Sequence, residues 1–358
     1  MDPFFWPELD FDLPQERIAT HPKNPKEEAN LLFCMQNSPP KDYKIQDLAN
    51  LLPTGALLIF NNTKVRQGRI LAKKSGVDSS KIYEFLVLEI QPENQVICLA
   101  KPMKSMKVGD KFQVEGANFQ FQLVEKDQEK GQCLVIFPSP VQIELFLEEK
   151  AHPALPPYIL KLESQRDEQK DKFDYQTVYA QYIGSAAAPT AGLHFTQNLI
   201  ENLKAKGFFM LPITLHIGRG TFSPLQKKNW EEGKLFAEKF FIEEETKKGI
   251  LQAKKEGRPL VAIGTTTLRA LEAAFQHQNI PSGWQTTESF LLPGREFKSV
   301  DFLFTNFHLP QSSLLLLVAA FGGVKKVKEA YKHAMEKKYR FYSFGDAMLL
   351  EKAKNAKG

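Results

Sequence analysis

Pro259-Leu260-Val261-Ala262-Ile263-Gly264-Thr265-Thr266-Thr267-Leu268-Arg269-Ala270-Leu271 is the stretch on which the fold turns. Its first half is a short, unbroken apolar run, which suits a strand buried on both faces. Its second half, continued to Phe275, sets Leu268, Leu271 and Phe275 at helical spacing behind threonines able to cap free amides. A buried strand passing directly into a helix is the repeating unit of a layered α/β domain. Working outward, Ala56-Leu-Leu-Ile-Phe60 reads as a second buried strand and runs into Asn61-Asn62-Thr63-Lys64. Leu199 to Lys206 reads as a helix and Phe208 to His216 as a strand. Ser312 to Phe321 reads as a buried helix stopped by Gly322-Gly323. Val324 to Tyr339 reads as an amphipathic helix with Val324, Val327, Tyr331 and Ala334 on one side.

The segment between these runs has another period. Lys81-Ile-Tyr-Glu-Phe-Leu-Val-Leu-Glu89 is rich in β-branched and aromatic residues, and Phe119, Phe121 and Leu123 alternate with polar neighbours. Turn signals at Val108-Gly109-Asp110 and Glu115-Gly116 divide these strands. A short helix near Pro140 to Glu149 and the proline-rich hinge His152-Pro-Ala-Leu-Pro-Pro-Tyr158 lead back out. The expectation is an α/β fold: a main mixed-sheet α/β domain from residues 1–65 and 151–358, interrupted by a small β-barrel domain at 66–150. A length of 358 residues accommodates about two such domains.

Composition narrows the class. Hydrophobic content of 42% with 25% charged residues is ordinary for a soluble globular protein. Met1 to Leu13 is acidic and lacks a signal-peptide layout. The longest apolar run, Leu314 to Phe321, falls short of the roughly 20 residues a bilayer requires. Cys34, Cys98 and Cys133 are odd in number and widely spaced, which argues for a reducing compartment and against a structural zinc site. A cytoplasmic protein with no membrane partner is expected. The net charge of +5 is unevenly spread. Arg66 to Lys150 holds 12 basic and 12 acidic residues, whereas Lys325 to Gly358 holds 10 and 4. That tail could bind phosphate through counterion release, or simply form a solvated helix face.

Two blocks concentrate reactive groups among small residues. The first is Gly184-Ser-Ala-Ala-Ala-Pro-Thr-Ala-Gly-Leu-His-Phe-Thr196, and the second Thr305-Asn-Phe-His-Leu-Pro310. The first has too little apolar bulk to build a core, yet lets backbone approach a ligand closely. His194 and His308 therefore read as groups presented to a ligand. Gly264-Thr265-Thr266, at a strand-to-helix junction, would attract a carboxylate or phosphate, or the threonines would merely cap. Arg269, one turn on, could pair with that anion or with an acidic side chain. His216-Ile-Gly-Arg-Gly-Thr-Phe222 follows a strand, where a lone histidine is more often structural, and its Gly-x-Gly lacks the rest of a dinucleotide fingerprint. Asn61-Asn62-Thr63-Lys64 sits at an expected switch point between strands, or is a polar turn. Tyr339 to Asp346 interleaves aromatics with Arg340; Phe341 and Phe344 suit pinning the last helix to the core.

In order along the chain, these blocks resemble the S-adenosylmethionine:tRNA ribosyltransferase-isomerase family of queuosine biosynthesis. The matching segments are Phe11-Asp-Leu-Pro14, Phe60-Asn-Asn-Thr-Lys-Val65, Leu155-Pro-Pro-Tyr158, Tyr175-Gln-Thr-Val-Tyr179 and Ala187-Ala-Pro-Thr-Ala-Gly-Leu-His-Phe195. They continue with Thr214-Leu-His-Ile-Gly218, Gly220-Thr-Phe222, Gly264-Thr-Thr266, Phe297-Lys298 with Val300-Asp301, Thr305 to Pro310, Lys338-Tyr-Arg-Phe341 and Gly345-Asp-Ala-Met348. The resemblance spans nearly the whole chain. It implies a mixed α/β domain with an inserted barrel. It also implies transfer and isomerisation of the ribosyl part of S-adenosylmethionine onto 7-aminomethyl-7-deazaguanine at the tRNA wobble position, giving epoxyqueuosine-tRNA, adenine and methionine. S-adenosylmethionine would be a consumed substrate, with no cofactor or metal, and the protein is expected to be a monomer.

That reaction needs a base for the proton beside the sulfonium, and a histidine suits it. His194 is the first candidate, His308 the second and His216 the third. A carboxylate such as Asp301 would keep the attacking amine neutral. Thr265, Thr266 and Arg269 would hold the methionine carboxylate, while Asn61, Asn62, Lys64 and Arg340 would meet substrate or tRNA phosphate. The matching blocks add Pro189, Thr190, Gly192, Gly218, Gly220, Thr221 and Asn306 as substrate-binding positions. The chain departs from the family pattern at Gly233-Lys-Leu-Phe-Ala-Glu238, where a His-x-Met-His-x-Glu block is usual and only the glutamate stays. Asn30, Gln67-Gly68, Arg219 and Arg295 also replace usual residues. Two rival readings predict other patterns. An S-adenosylmethionine-dependent RNA methyltransferase would show a glycine-rich first βα turn. A non-enzymatic tRNA-binding module would cluster aromatic and basic residues on the barrel strands, yet that stretch is charge-neutral.

Overall fold

The structure, a computed structural model, describes residues 6–76, 80–128, 131–139, 141–156, 159, 167–218, 220, 225–277 and 279–354. Its largest element is a nine-stranded mixed sheet. Four neighbouring strands run parallel at its centre, in the order Phe209–Leu215, Leu57–Asn61, Leu260–Ile263, Phe302–Asn306. Lys234–Ile242 and Gly283–Ser289 extend one side antiparallel, and Ala347–Glu351, Asn30–Cys34 and Lys41–Lys44 extend the other.

All four residues of Leu260–Ile263 are buried, as an unbroken apolar run in a parallel strand requires. Alternate side chains feed opposite layers. Leu57, Ile59, Leu260 and Ala262 pack into one core, while Leu58, Val261 and Ile263 pack into the other. The first core is covered by Glu244–Lys255, Thr265–Ala274, Ser313–Gly322 and Val324–Glu336, the second by Gln197–Ala205. The hydroxyl of Ser312 accepts from Leu315 N–H (3.2 Å) and caps its helix, and Gly323 at φ 84° ends it. Phe341 and Phe344 are fully buried, Phe341 against Phe11, Phe307 and Tyr331.

Six antiparallel strands, Gln67–Lys74, Ile82–Gln91, Gln95–Lys101, Lys111–Val114, Gln120–Asp127 and Gln132–Ile136, close into the inserted barrel. Closure comes from pairing of the first strand with the fourth, Ala72 opposite Val114. Phe85, Phe112, Phe121 and Phe137 fill it. The helix Ile143–Lys150 plugs one side with Phe146 and Leu147. A small cluster of Val65, Leu86, Leu155, Tyr175, Ala188 and Phe344 welds barrel to main sheet. Among the described residues no helix is long and apolar enough to cross a membrane, and no grouping of His, Cys, Asp and Glu could hold a metal.

Candidate active site

In chain order the four parallel strands stand 2-1-3-4, so the winding reverses between Leu57–Asn61 and Leu260–Ile263. A crevice must open beyond the carboxyl ends of strands at such a reversal. The observed cleft lies there and encloses about 540 Å³, within the range of a small-molecule site. One wall is Ala187-Ala-Pro-Thr-Ala191, a second is Thr305, Asn306, His308 and Leu309, and Gly264, Thr265, Thr266 and Arg269 form a third. The two small-residue blocks, more than a hundred residues apart, thus share one cavity.

The third wall exists because Gly264 takes φ 93° and ψ 152°, a conformation essentially reserved for glycine. It turns the strand straight into the helix Thr265–Ala274. No side chain caps that helix, and Thr267 Oγ1 instead donates back to Ile263 O (2.7 Å). Threonine capping, allowed for by the sequence, is absent. Thr265 and Thr266 face the cleft at the positive end of the helix dipole. Asn61 knits the neighbouring ends: its Nδ2 donates to Leu215 O (2.9 Å), and its Oδ1 accepts from the N–H groups of Thr63 (3.1 Å) and Leu215 (2.9 Å).

Arg269 reaches the cleft already paired. It forms an ion pair with the buried Glu238, whose Oε1 also accepts from Gly218 N–H (3.2 Å). Burial lowers the guanidinium pKa to about 10. Arg269 is therefore neutralised by an internal carboxylate, the alternative the sequence had left open, and that carboxylate is the one retained glutamate of the altered block.

The three histidines occupy different layers. His308 lies on the cleft wall, its Nε2 3.0 Å from Thr305 Oγ1, with its backbone N–H donated to Tyr331 Oη (2.9 Å). Burial pushes its pKa down to about 3. His194, on the short turn Thr190–His194, sits one layer behind: Asn306 Nδ2 lies 3.3 Å from its Nε2. Burial, then the Arg340 and Lys26 cations, lower it to about 3. Asn306 Nδ2 also donates to Tyr342 O (3.0 Å) and Ser343 O (3.3 Å), leaving Asn306 Oδ1 buried with no partner. His216 stands outside the cleft lining, bonded through Nδ1 to Thr63 Oγ1 (2.8 Å).

Of the expected site residues, Pro189, Thr190, Gly220, Thr265, Thr266, Arg269, Asn306 and His308 line the cleft. Others do structural work. Gly192 makes room for Tyr179 and Thr177, and Gly218 serves Glu238. Asn62 Oδ1 accepts from Thr214 Oγ1 (2.6 Å). Lys64 lies half-buried on the strand Thr63–Val65, away from the cavity lining. Arg340 donates from Nη1 to His21 O (3.1 Å) and has its Nε 3.8 Å from Asp346, while its Nη2 is buried with no hydrogen-bond partner among the described residues. Asp301 is corrected most clearly. It precedes Phe302–Asn306, so about 17 Å of strand, at roughly 3.4 Å per residue, separates it from the cleft end. There its Oδ2 accepts from Leu260 N–H (2.9 Å), and Lys352 is 3.6 Å away. Thr221 lies outside the described residues.

The barrel supplies what sequence reasoning missed. Arg69, Glu84, Leu86, Leu99 and Lys101 complete the cleft. Arg69 pairs with Leu86, Leu86 with Leu99, and Glu84 with Lys101 across adjacent strands, so they form one outward patch. Glu84 lies 3.8 Å from Arg69 and 3.5 Å from Lys101. Nothing in an alternating strand marks outward positions that another unit will cover. Tyr175, within a motif already singled out, and Tyr342 also line the cavity.

The family described as queuosine biosynthesis protein matches residues 7–350. The chain is 40% identical over 354 residues to an S-adenosylmethionine:tRNA ribosyltransferase-isomerase of Treponema denticola, covering 96% of this chain and 99% of that protein. A relative of the same description from Rickettsia bellii is 40% identical over 352 residues, covering 96% and 98%. Among solved structures, that of an S-adenosylmethionine tRNA ribosyltransferase from Thermotoga maritima matches with a TM-score of 0.53 and 30% identity over 96% of this chain and 99% of that one.

Proposed function

The chain belongs to the queuosine biosynthesis family of S-adenosylmethionine:tRNA ribosyltransferase-isomerases, and on that premise we propose the following reaction. The enzyme moves the ribosyl part of S-adenosylmethionine onto 7-aminomethyl-7-deazaguanine at the tRNA wobble position and isomerises it. Epoxyqueuosine-tRNA forms, and adenine and methionine leave. S-adenosylmethionine is consumed as a substrate, with no separate cofactor.

The observation that carries this reading is the meeting of Ala187–Ala191, Thr305–His308 and the Gly264–Thr266 turn on one cavity of about 540 Å³. The methionine carboxylate is assigned to the amides of Thr265 and Thr266, where a helix amino terminus favours an anion. His308 takes the role of base, because it alone of the three candidate histidines lines the cavity. In the tautomer that donates Nε2–H to Thr305 Oγ1, 3.0 Å away, its Nδ1 keeps the lone pair that removes a proton beside the sulfonium. Burial keeps that imidazole neutral at working pH. Asn306 Oδ1 is left to accept a ribose hydroxyl. His194 is a positioning residue that holds the Asn306 amide. Glu84 replaces Asp301 as the carboxylate facing the incoming amine: of the two glutamates on the cavity, Glu238 is buried against Arg269, whereas Glu84 is more open and only loosely paired with Arg69 (3.8 Å) and Lys101 (3.5 Å). Adenine formation from S-adenosylmethionine, measured with and without tRNA carrying 7-aminomethyl-7-deazaguanine, tests the reading. Release that requires the modified tRNA supports it; no release with both substrates saturating defeats it.

A further inference from the structure

Beside the cleft, the sheet edge carries a surface that the reaction chemistry does not use. Trp284, on the outermost strand Gly283–Ser289, is 55% exposed. Tryptophan is highly buried on average, so an open indole needs a reason. This one is also held firmly. Its ring lies 5.4 Å from the His216 ring and 5.3 Å from the Phe241 ring. Trp284 is the register partner of Phe241 and Thr286 that of Lys239, so these four side chains share one face of the sheet. His216 is braced from behind by Thr63 Oγ1, and a Cβ on Gly184 would come within 2.6 Å of its imidazole. Lys239 is exposed, with no carboxylate at ion-pair distance among the described residues.

The surface adjoins the cleft along the backbone. His216 is followed by the cavity residue Ile217, and Gly184 precedes the cavity residue Ala187 by three positions, about 10 Å of extended chain. A rigid aromatic face next to an unpaired cation is what unpaired nucleotides require: bases stack on the ring whatever their identity, and phosphate meets the cation.

We propose that Trp284 and Lys239 form an RNA-docking surface, on which an unpaired base neighbouring the target nucleotide stacks on the indole while Lys239 meets its phosphate. This rests on the tRNA-modifying reading above and gives that reading a binding face outside the cavity. It also places an RNA contact on the edge of the main sheet.

Equilibrium titration of the full chain with tRNA carrying 7-aminomethyl-7-deazaguanine tests the proposal, using Trp284→Ala, Trp284→Phe and Lys239→Glu. Trp284→Ala is expected to weaken tRNA binding roughly 5- to 100-fold, the span of losses seen when a stacking aromatic is truncated. Trp284→Phe should recover most of that. Lys239→Glu should weaken binding and lower its salt dependence by about one phosphate contact. Affinity for S-adenosylmethionine and the melting temperature should stay at wild-type values, and the KM for tRNA should rise with kcat kept. Wild-type tRNA affinity in both Trp284→Ala and Lys239→Glu, with folding intact, would overturn the surface while leaving adenine release untouched. A wild-type chain that binds no tRNA at all would overturn the functional reading and this inference together.

Discussion

A buried imidazole accepts a proton only while it stays neutral; burial of His308 secures that state and, by lowering its pKa to about 3, also makes it a weaker base than a free histidine. His308→Ala is therefore expected to lower turnover by about 10²- to 10⁴-fold, the usual worth of a positioned general base. His194→Ala should raise the KM for S-adenosylmethionine through a loosened Asn306, with a smaller loss of kcat; steady-state kinetics on both variants separate the roles. The same burial has a consequence for stability. His194 and His308 bind protons near pH 6.5 when unfolded but only near pH 3 when folded. Below pH 6.5 the unfolded chain takes up more protons, so stability falls as pH drops toward 3 and is fully present above 6.5. Thermal melts across pH 4–8 should show this loss, and it should shrink in a His194→Phe variant. Arg269 and Glu238 are a third residue-scale case. Removing either partner strands a buried charge, so Glu238→Gln is expected to cost about 3–5 kcal/mol in urea unfolding. Replacing both with apolar residues of similar volume should cost less.

At the scale of elements, the turn at Gly264 ties fold to function. It ends a central strand, starts the helix that faces the cleft, and passes 3.5 Å, at the position of an added Cβ, from Ala191 Cβ on the opposite wall. Gly264→Ala adds backbone strain of roughly 1–3 kcal/mol in that region of φ and ψ. It should lower the unfolding free energy in urea by that amount and weaken S-adenosylmethionine binding, because the helix amides shift against the cavity. Binding measured by calorimetry at a temperature where the variant is fully folded checks the second effect. Unchanged affinity there would detach the helix terminus from the ligand. The small residues of Gly184–Thr196 thus serve two ends: Ala187 to Ala191 line the cavity, while Gly184 and Gly192 admit His216 and Tyr179. Only the middle of the block therefore lines the cavity.

For the whole molecule, two bodies with separate cores meet at one cleft. The barrel core around Phe85, Phe112, Phe121 and Phe137 shares no residue with the two cores of the main sheet, and the small cluster with Leu86 and Ala188 joins them. Phe121→Ala leaves a cavity against three aromatic rings and should destabilise the barrel by about 3–5 kcal/mol. Calorimetry is expected to resolve a barrel transition that moves down in temperature while the main transition holds. A single transition shifted as a whole would mean the joining cluster couples the bodies completely. Loss of the barrel's grip should also remove Arg69, Glu84 and Lys101 from the site, so activity should fall with the first transition.

Local pattern was enough for much of this protein. Unbroken apolar runs marked the buried strands, period two marked the barrel, and glycine-threonine after a strand marked the helix terminus over the cleft, because each signal is written within a few consecutive residues. The family was legible for the same reason, in contiguous blocks such as Ala187 to Phe195 and Thr305 to Pro310. Distance in space was not. Strand order put Asp301 at the far end of the sheet and Asn306 at the near one, although five positions separate them. Packing put His308 on the wall and His194 behind it, paired Arg269 with Glu238, and turned an ordinary outward stripe of barrel residues into one side of the cavity. Those assignments depend on which surfaces face each other after folding, and a linear pattern carries no record of its future neighbours.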